Sequence, residues 1–286
     1  MKQYLNDLKY ILDNGAVRDD RTNTGTISVF GMQSRYNLND GFPAVTTKRL
    51  AFKAMASELL WFLEGSSDER RLAEILHGTR DPDKKTIWTA NSTADYWKDK
   101  AQYSGDLGRV YGSQWRRYPR PEARFGKLEY VDQIAELVDG LKNDPYSRRH
   151  ILNAWNPGEL DKMALPPCHI LSQYYVHDGK LSSQMYQRSA DYLLGSPFNI
   201  ASYSLLTHML AQVCDLGVGE FIYTVGDAHI YMNHIDAVNE QLSREPMELC
   251  KLWLNPDIKD INDFKMDDIK LIDYKSHPSI KAPMAV

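Results

Sequence analysis

The dipeptide Asp178-Gly179 constrains this chain more than any other pair of residues. An Asp-Gly pair between two apolar runs is a strong signal for a two-residue hairpin turn. If His177 pairs with Lys180, the same register sets Cys168 opposite Ser189 and His169 opposite Arg188. One end of a sheet then gathers Cys168, Arg188 and Ser189. Pro166 and Pro167 cannot donate ladder hydrogen bonds, so they suit the start of the strand. A bulge would change which face Arg188 takes, and the direction of its side chain stays open at this point. A thiol close to a guanidinium can serve as a nucleophile near neutral pH, because the positive charge favours the thiolate. A cysteine with no such neighbour is more often a small buried hydrophobe.

The chain has 286 residues, of which 43% are apolar, enough for one large domain or two ordinary ones. Its net charge of −4 gives no global attraction to nucleic acid or to a membrane surface. Any anion site must therefore come from local clusters. The three cysteines, Cys168, Cys214 and Cys250, are far apart and include no Cys-x-x-Cys pair. That argues against a disulfide framework and a structural zinc site. No apolar run approaches a membrane span and the first residues do not read as a signal peptide, so a cytoplasmic setting is expected.

Leu5, Leu8, Ile11 and Leu12 have helical spacing, which predicts an opening amphipathic helix ending near Gly15. Thr26 to Phe30 and Met32 to Tyr36 alternate like two strands broken at Gly31. Phe52 to Leu63 reads as a strong helix. Val131, Ile134, Val138 and Leu141 predict another, and Asn199 to Val213 a third. Residues 65–105 are polar and irregular, which suggests an insert or lid rather than core. After Pro256 the chain is acidic and strand-like. Interspersed strands and helices around an antiparallel hairpin predict a single α+β (mixed α/β) domain.

Several polar residues stand where chemistry could use them. Arg148 and Arg149 follow a helix end and, with Arg21 and Arg188, make a set of forks that match phosphate oxygens. A solvated surface is the alternative for any one of them. Glu58 shares the buried stripe of its helix with Met55 and Phe62, so it has either a partner or a raised pKa. Asn199 lies at a helix start, where it is either an N-cap or a planar donor and acceptor for an amide-like edge. His229 and Tyr231 share one strand face and can grip a hydroxyl or fill a polar core. His229 and His234 lack a third ligand nearby and do not read as a metal pair.

Taken in order, these segments resemble thymidylate synthase of the folate-dependent, cysteine-nucleophile type. The resemblance runs nearly end to end. It rests on Asp20-Arg21-Thr22, Gly41 to Lys48, Glu58-Leu59-Leu60-Trp61-Phe62, Leu107 to Gly112, Ser147-Arg148-Arg149, Leu165 to His169, Tyr186 to Asp191, Pro197 to Tyr203 and His229 to Tyr231. It implies one mixed sheet surrounded by helices, packed sheet to sheet in a homodimer. It also implies that Cys168 is the nucleophile towards carbon 6 of the uracil of dUMP. Arg21, Arg188 and Ser189 would hold the phosphate, with Arg148 and Arg149 supplied by the second subunit. Asn199 would read the base edge, and His229 with Tyr231 the deoxyribose hydroxyl. Glu58 and Tyr111 would relay protons. His169 and Asp191 complete the residues expected around the reaction. Lys48, Trp88, Leu165, Asp191, Phe198 and Ala285 would meet 5,10-methylenetetrahydrofolate, the co-substrate. No metal, DNA or membrane partner is implied.

The chain departs from the family's commonest pattern at Thr89, Arg109, Ser196, Val225 and Ala228. These positions surround the expected folate pocket. They leave open whether hydride or water captures the methylene left on carbon 5. Hydride would give dTMP, and water would give the 5-hydroxymethyl nucleotide made by the related dUMP and dCMP hydroxymethylases. A member without catalysis that holds nucleotide or RNA is the more distant alternative.

Overall fold

The computed structural model describes residues 1–20, 24–121 and 128–283. Helix α1 (Lys2–Asn14) buries Tyr4, Leu8 and Ile11 on one face and ends at Gly15. Strands β1 (Ala16–Arg18) and β2 (Thr26–Asn37) follow. Next come α2 (Phe52–Leu63), α3 (Glu69–His77), α4 (Thr89–Ser92), α5 (Asp95–Lys98) and α6 (Tyr111–Arg116). Strands β3 (Tyr118–Pro121) and β4 (Leu128–Val131) pair with each other ahead of α7 (Gln133–Asn143) and β5 (Ile151–Asn153). The hairpin is β6 (His169–His177) and β7 (Lys180–Asp191). Helix α8 (Ser196–Val213) leads to β8 (Gly217–Tyr231), then α9 (Ile235–Leu242), β9 (Lys251–Leu254) and β10 (Ile269–Ile272).

The main sheet has the order β1-β2-β8-β7-β6-β5. Strands β7 and β8 are parallel, and their neighbours run antiparallel, so the sheet is mixed as expected. A parallel pair needs a crossover, and α8 supplies it. That helix is apolar nearly all round, with 14 of its 18 residues buried, which makes it the central core helix. Tyr174, Val176, Leu181, Met185, Phe221 and Tyr223 carry the sheet's buried face. The opposite face bears Gln33, Gln173, Tyr175 and Gln184, all exposed. Gln33 and Gln184 both donate to Thr224 Oγ1 at 3.1 Å, tying three strands across that face.

Several expectations need correction. The two strands expected on either side of Gly31 are one, because Gly31 takes φ 85° in an otherwise unbroken register with β8. Val131 is not helical; it pairs with Tyr118, and Asp132 caps α7 by accepting from Ala135 N–H at 3.0 Å. Helix α8 begins at Ser196, ahead of Asn199, so Asn199 is not an N-cap. Among the described residues after Pro256, only Ile269–Ile272 is a strand. The 65–105 stretch is ordered by its few apolar residues: Leu72, Trp88 and Trp97 are buried in the common core.

The hairpin turn falls where Asp178-Gly179 places it, and His177 pairs with Lys180. The register holds up to Leu171 opposite Tyr186, then shifts by one, so that His169 meets Gln187. Arg188 therefore stands opposite Cys168, and Ser189 does not. The Arg188 N–H donates to the Cys168 carbonyl at 2.8 Å.

Gly108 fixes the start of α6. It has φ +70°, and a Cβ there would lie 2.2 Å from the Lys162 carbonyl and 2.7 Å from Trp97. Gly108→Ala is expected to destabilise the fold by about 3 kcal/mol through clash and backbone strain. Chemical denaturation of the two proteins checks this, and a loss below about 1 kcal/mol would contradict it.

Candidate active site

The end of the sheet gathers the polar groups. Arg188 Nη2 lies 3.9 Å from Cys168 Sγ. The same guanidinium donates to the Pro167 carbonyl at 2.8 Å and the Pro166 carbonyl at 3.2 Å, and stacks 5.6 Å from the Trp155 ring. The two prolines thus leave carbonyls that fix the arginine beside the thiol. Arg188 favours the thiolate as expected, but burial works against it. Burial pushes the Cys168 thiol up and Arg188 pulls it down, with burial the larger.

Tyr111, the first residue of α6, accepts the Cys168 N–H at its hydroxyl at 2.7 Å. Its ring stacks on His169 at 4.1 Å. His169 is buried, bonded through Nδ1 to the Tyr203 hydroxyl at 2.8 Å, and burial lowers its pKa to about 3. It is a neutral ring that holds Tyr111 and Tyr203 in place. Glu58 on α2 accepts from Trp88 Nε1 at 2.6 Å. Burial raises its pKa to about 7, and the Trp88 hydrogen bond opposes that rise. A carboxyl at that value both gives and takes a proton near neutrality. Burial, then the nearby Cys168 and Glu58, push the Tyr111 hydroxyl well above its ordinary value.

Strand β8 carries the neighbouring polar row. Asp227 sits opposite Ser189, and His229 opposite Asp191. His229 Nδ1 meets Asp227 Oδ1 at 3.1 Å, and Arg18 Nη1 meets Asp227 Oδ2 at 3.0 Å. The His229 and Arg18 contacts hold the Asp227 carboxyl below its usual range. With Nδ1 directed at the carboxylate, Nε2 is the nitrogen left for a ligand. The Tyr231 ring packs edge-on to His229 at 5.2 Å.

Beyond β7 the chain turns into α8. Asp191 Oδ1 accepts from the N–H groups of Leu193 at 2.9 Å and Leu194 at 3.0 Å. Lys48, 7% exposed, donates to the Leu193 carbonyl, and burial lowers its pKa to about 8 with Asp191 opposing. Its ammonium is thus committed to the backbone just beyond Asp191. Phe198 and Asn199 occupy the first turn of α8, and Phe198 and Leu165 pack against the core. Arg148 and Arg149 are exposed in the α7–β5 connection. Within this chain they lie at the far sheet edge, where the Arg148 carbonyl accepts from Gln173 at 3.4 Å. Arg21 and Ala285 lie outside the described residues.

The thymidylate synthase family model matches residues 2–286. The chain belongs to the thymidylate synthase family. Members of that family transfer a one-carbon unit from methylenetetrahydrofolate to a pyrimidine nucleotide. Two residues of this thymidylate synthase-family site escaped sequence reasoning. Asp227 was legible as an acid two positions before His229, on the same strand face. Trp155, which stacks on Arg188, had no sequence signal.

The family's polar departures are turned inward. Thr89 Oγ1 donates to Glu69 at 2.6 Å, a buried carboxylate also bound by Arg70 and Thr86. Ser196 is buried and bonds the Tyr223 hydroxyl at 3.1 Å. Arg109 meets Glu159 at 2.9 Å, and Val225 and Ala228 are buried.

A raised carboxyl makes the folded chain hold a proton that the unfolded chain releases near 4.5. Stability is therefore lost as pH rises from there through about 7. Glu58→Gln is expected to melt with the parent protein at pH 5 and several degrees above it at pH 8, while losing at least about 100-fold in turnover. Calorimetric scans at the two pH values check this. A gap that is the same at both would contradict it.

Proposed function

We propose that the protein is a thymidylate synthase that converts dUMP to dTMP with 5,10-methylenetetrahydrofolate and releases dihydrofolate. The observation that carries this reading is the Cys168 cluster, a thiol with a guanidinium on one side and a Tyr111–Glu58–Trp88 array on the other. Cys168 adds as thiolate to carbon 6 of uracil, which makes carbon 5 a nucleophile. Since burial opposes the free thiolate, the proton leaves Cys168 once substrate is in place. Arg188 then stabilises the sulfur. Carbon 5 attacks the one-carbon unit and afterwards loses its proton, and elimination of the folate leaves an exocyclic methylene. Hydride from the folate reduces that methylene, and sulfur departs with its electron pair. Glu58, near pKa 7, moves protons at the uracil oxygen and carbon 5.

Asn199 is assigned to O4 and N3–H of the base, and His229 Nε2 with Tyr231 to the deoxyribose hydroxyl. Arg21, Arg188 and Ser189 are assigned to the phosphate. Lys48, Trp88, Leu165, Asp191, Phe198 and Ala285 are assigned to the folate side. Arg148 and Arg149 stand exposed at the edge of a sheet face that carries Tyr175, 63% exposed. A homodimer through that face would carry them to the partner's phosphate. A cytoplasmic location agrees with the absence, among the described residues, of a helix long and apolar enough to cross a membrane.

Hydride transfer is favoured over water capture because the departing hydroxyls do not line an open pocket. Thr89 and Ser196 are both satisfied by protein partners, and Trp88 closes over Glu58. Incubation with dUMP and methylenetetrahydrofolate is expected to raise the absorbance of dihydrofolate in step with nucleotide consumed. Consumption without that rise would assign the protein to the 5-hydroxymethylases, and nucleotide binding with no turnover would make it a binding member. Asn199→Asp is expected to shift the dUMP/dCMP preference towards dCMP by roughly 100-fold, since a carboxylic acid or its water network complements an amino group that the amide repels. Competition kinetics measure that ratio, and an unchanged ratio would remove Asn199 as the base reader.

A further inference from the structure

His234 takes part in none of the steps above, yet it is fully buried. It is the last residue of a short 3-10 turn after β8 and precedes α9. Its Nε2 meets the Pro283 carbonyl at 2.6 Å. A carbonyl can only accept, so Nε2 carries the proton. Its Nδ1 is shut off from water, makes no hydrogen bond among the described residues, and stands 3.8 Å from Asp191 Oδ1. Its ring packs edge-on to Tyr231 at 5.4 Å. One imidazole therefore touches the C-terminal segment, the carboxylate at the end of β7 and the tyrosine at the end of β8.

The C-terminal segment is tied down in several places before it reaches His234. Tyr274 donates its hydroxyl to the Val45 carbonyl at 2.7 Å. The His277 N–H donates to the Thr46 carbonyl at 2.8 Å. Arg244 bridges the Thr47 and Pro278 carbonyls at 2.8 and 2.7 Å. The segment that receives these bonds continues directly into Lys48, whose ammonium donates to the Leu193 carbonyl two residues after Asp191. The strap thus runs from its bonds with Val45, Thr46 and Arg244 to His234, which stands 3.8 Å from Asp191.

We propose that His234 is a positioning residue that clamps the C-terminal strap at Pro283 against Asp191, and so holds the folate side of the site together. Its two nitrogens divide the work: Nε2 holds the strap, and Nδ1 spaces the ring from the carboxylate. This division separates two substitutions of similar size. In His234→Gln the amide nitrogen falls where Nε2 stands and still donates to the Pro283 carbonyl. In His234→Asn it falls where Nδ1 stands, facing Asp191, and releases Pro283.

Hydrogen–deuterium exchange of the peptide 275–283 in the full-length protein without ligands tests the clamp. Exchange is expected to be about ten-fold faster in His234→Asn and near the parent rate in His234→Gln. The KM for methylenetetrahydrofolate is expected to rise about ten-fold in His234→Asn only, with the KM for dUMP changed less than about two-fold. Equal protection in all three proteins, equal loss in both variants, or loss of protection with an unchanged folate KM would overturn the proposal. The kinetic half rests on the reaction proposed above. Absence of turnover in the parent protein would count against that reaction, and the exchange comparison alone would then decide the clamp.

Discussion

The hydrogen bond from the Arg188 N–H to the Cys168 carbonyl sets the geometry on which the site depends. It exists because the β6–β7 register slips by one residue between His169 and Leu171. Without the slip, Arg188 would face His169, and its guanidinium would leave the sheet away from the sulfur. With it, the guanidinium reaches both proline carbonyls and the thiol, while the Cys168 N–H is directed to Tyr111. One irregularity at a strand end therefore aims a cation and a phenol at the same cysteine.

Burial makes the ionised forms of the groups around that cysteine costly. Thiol, carboxyl and phenol are all displaced towards their neutral forms. Arg188 is the fixed charge among these neutral groups. Among them Glu58, at about 7, is the group poised to exchange a proton near neutrality. The rigidity comes from aromatic packing: Phe62, Trp88, Tyr111, His169 and Tyr203 touch one another around Glu58. The same packing leaves Trp88 only 6% exposed.

The sheet end was legible in the sequence because two strong local signals coincide, the Asp178-Gly179 turn and the Pro166-Pro167 strand start. Helices α2 and α8 were legible because their apolar residues recur at helical intervals over three or more turns. The slip at His169 was not, since no glycine or proline marks it and only the contacts of Cys168 and Arg188 select it. The continuity of β2 through Gly31 depends on the strand facing it, a non-local fact. The partner of Glu58 was illegible for the same reason: Trp88 comes from the polar 65–105 stretch, whose order rests on the buried Leu72, Ala73, Trp88 and Trp97 and on the pair of buried Glu69 with Arg70. The place of His234 was illegible too, since only the folded chain brings it to Asp191 and Pro283.

The central claim is that Cys168 sulfur bonds to the pyrimidine during the reaction. Its most direct test is the mass of the protein after incubation with 5-fluoro-dUMP and methylenetetrahydrofolate. Fluorine cannot leave carbon 5 as a proton does, so the reaction should stop with nucleotide and folate joined to the enzyme. A gain equal to both ligands, mapped to the peptide bearing Cys168, is the predicted result. An unmodified protein at saturating ligands, or an adduct on any other residue, would contradict the account.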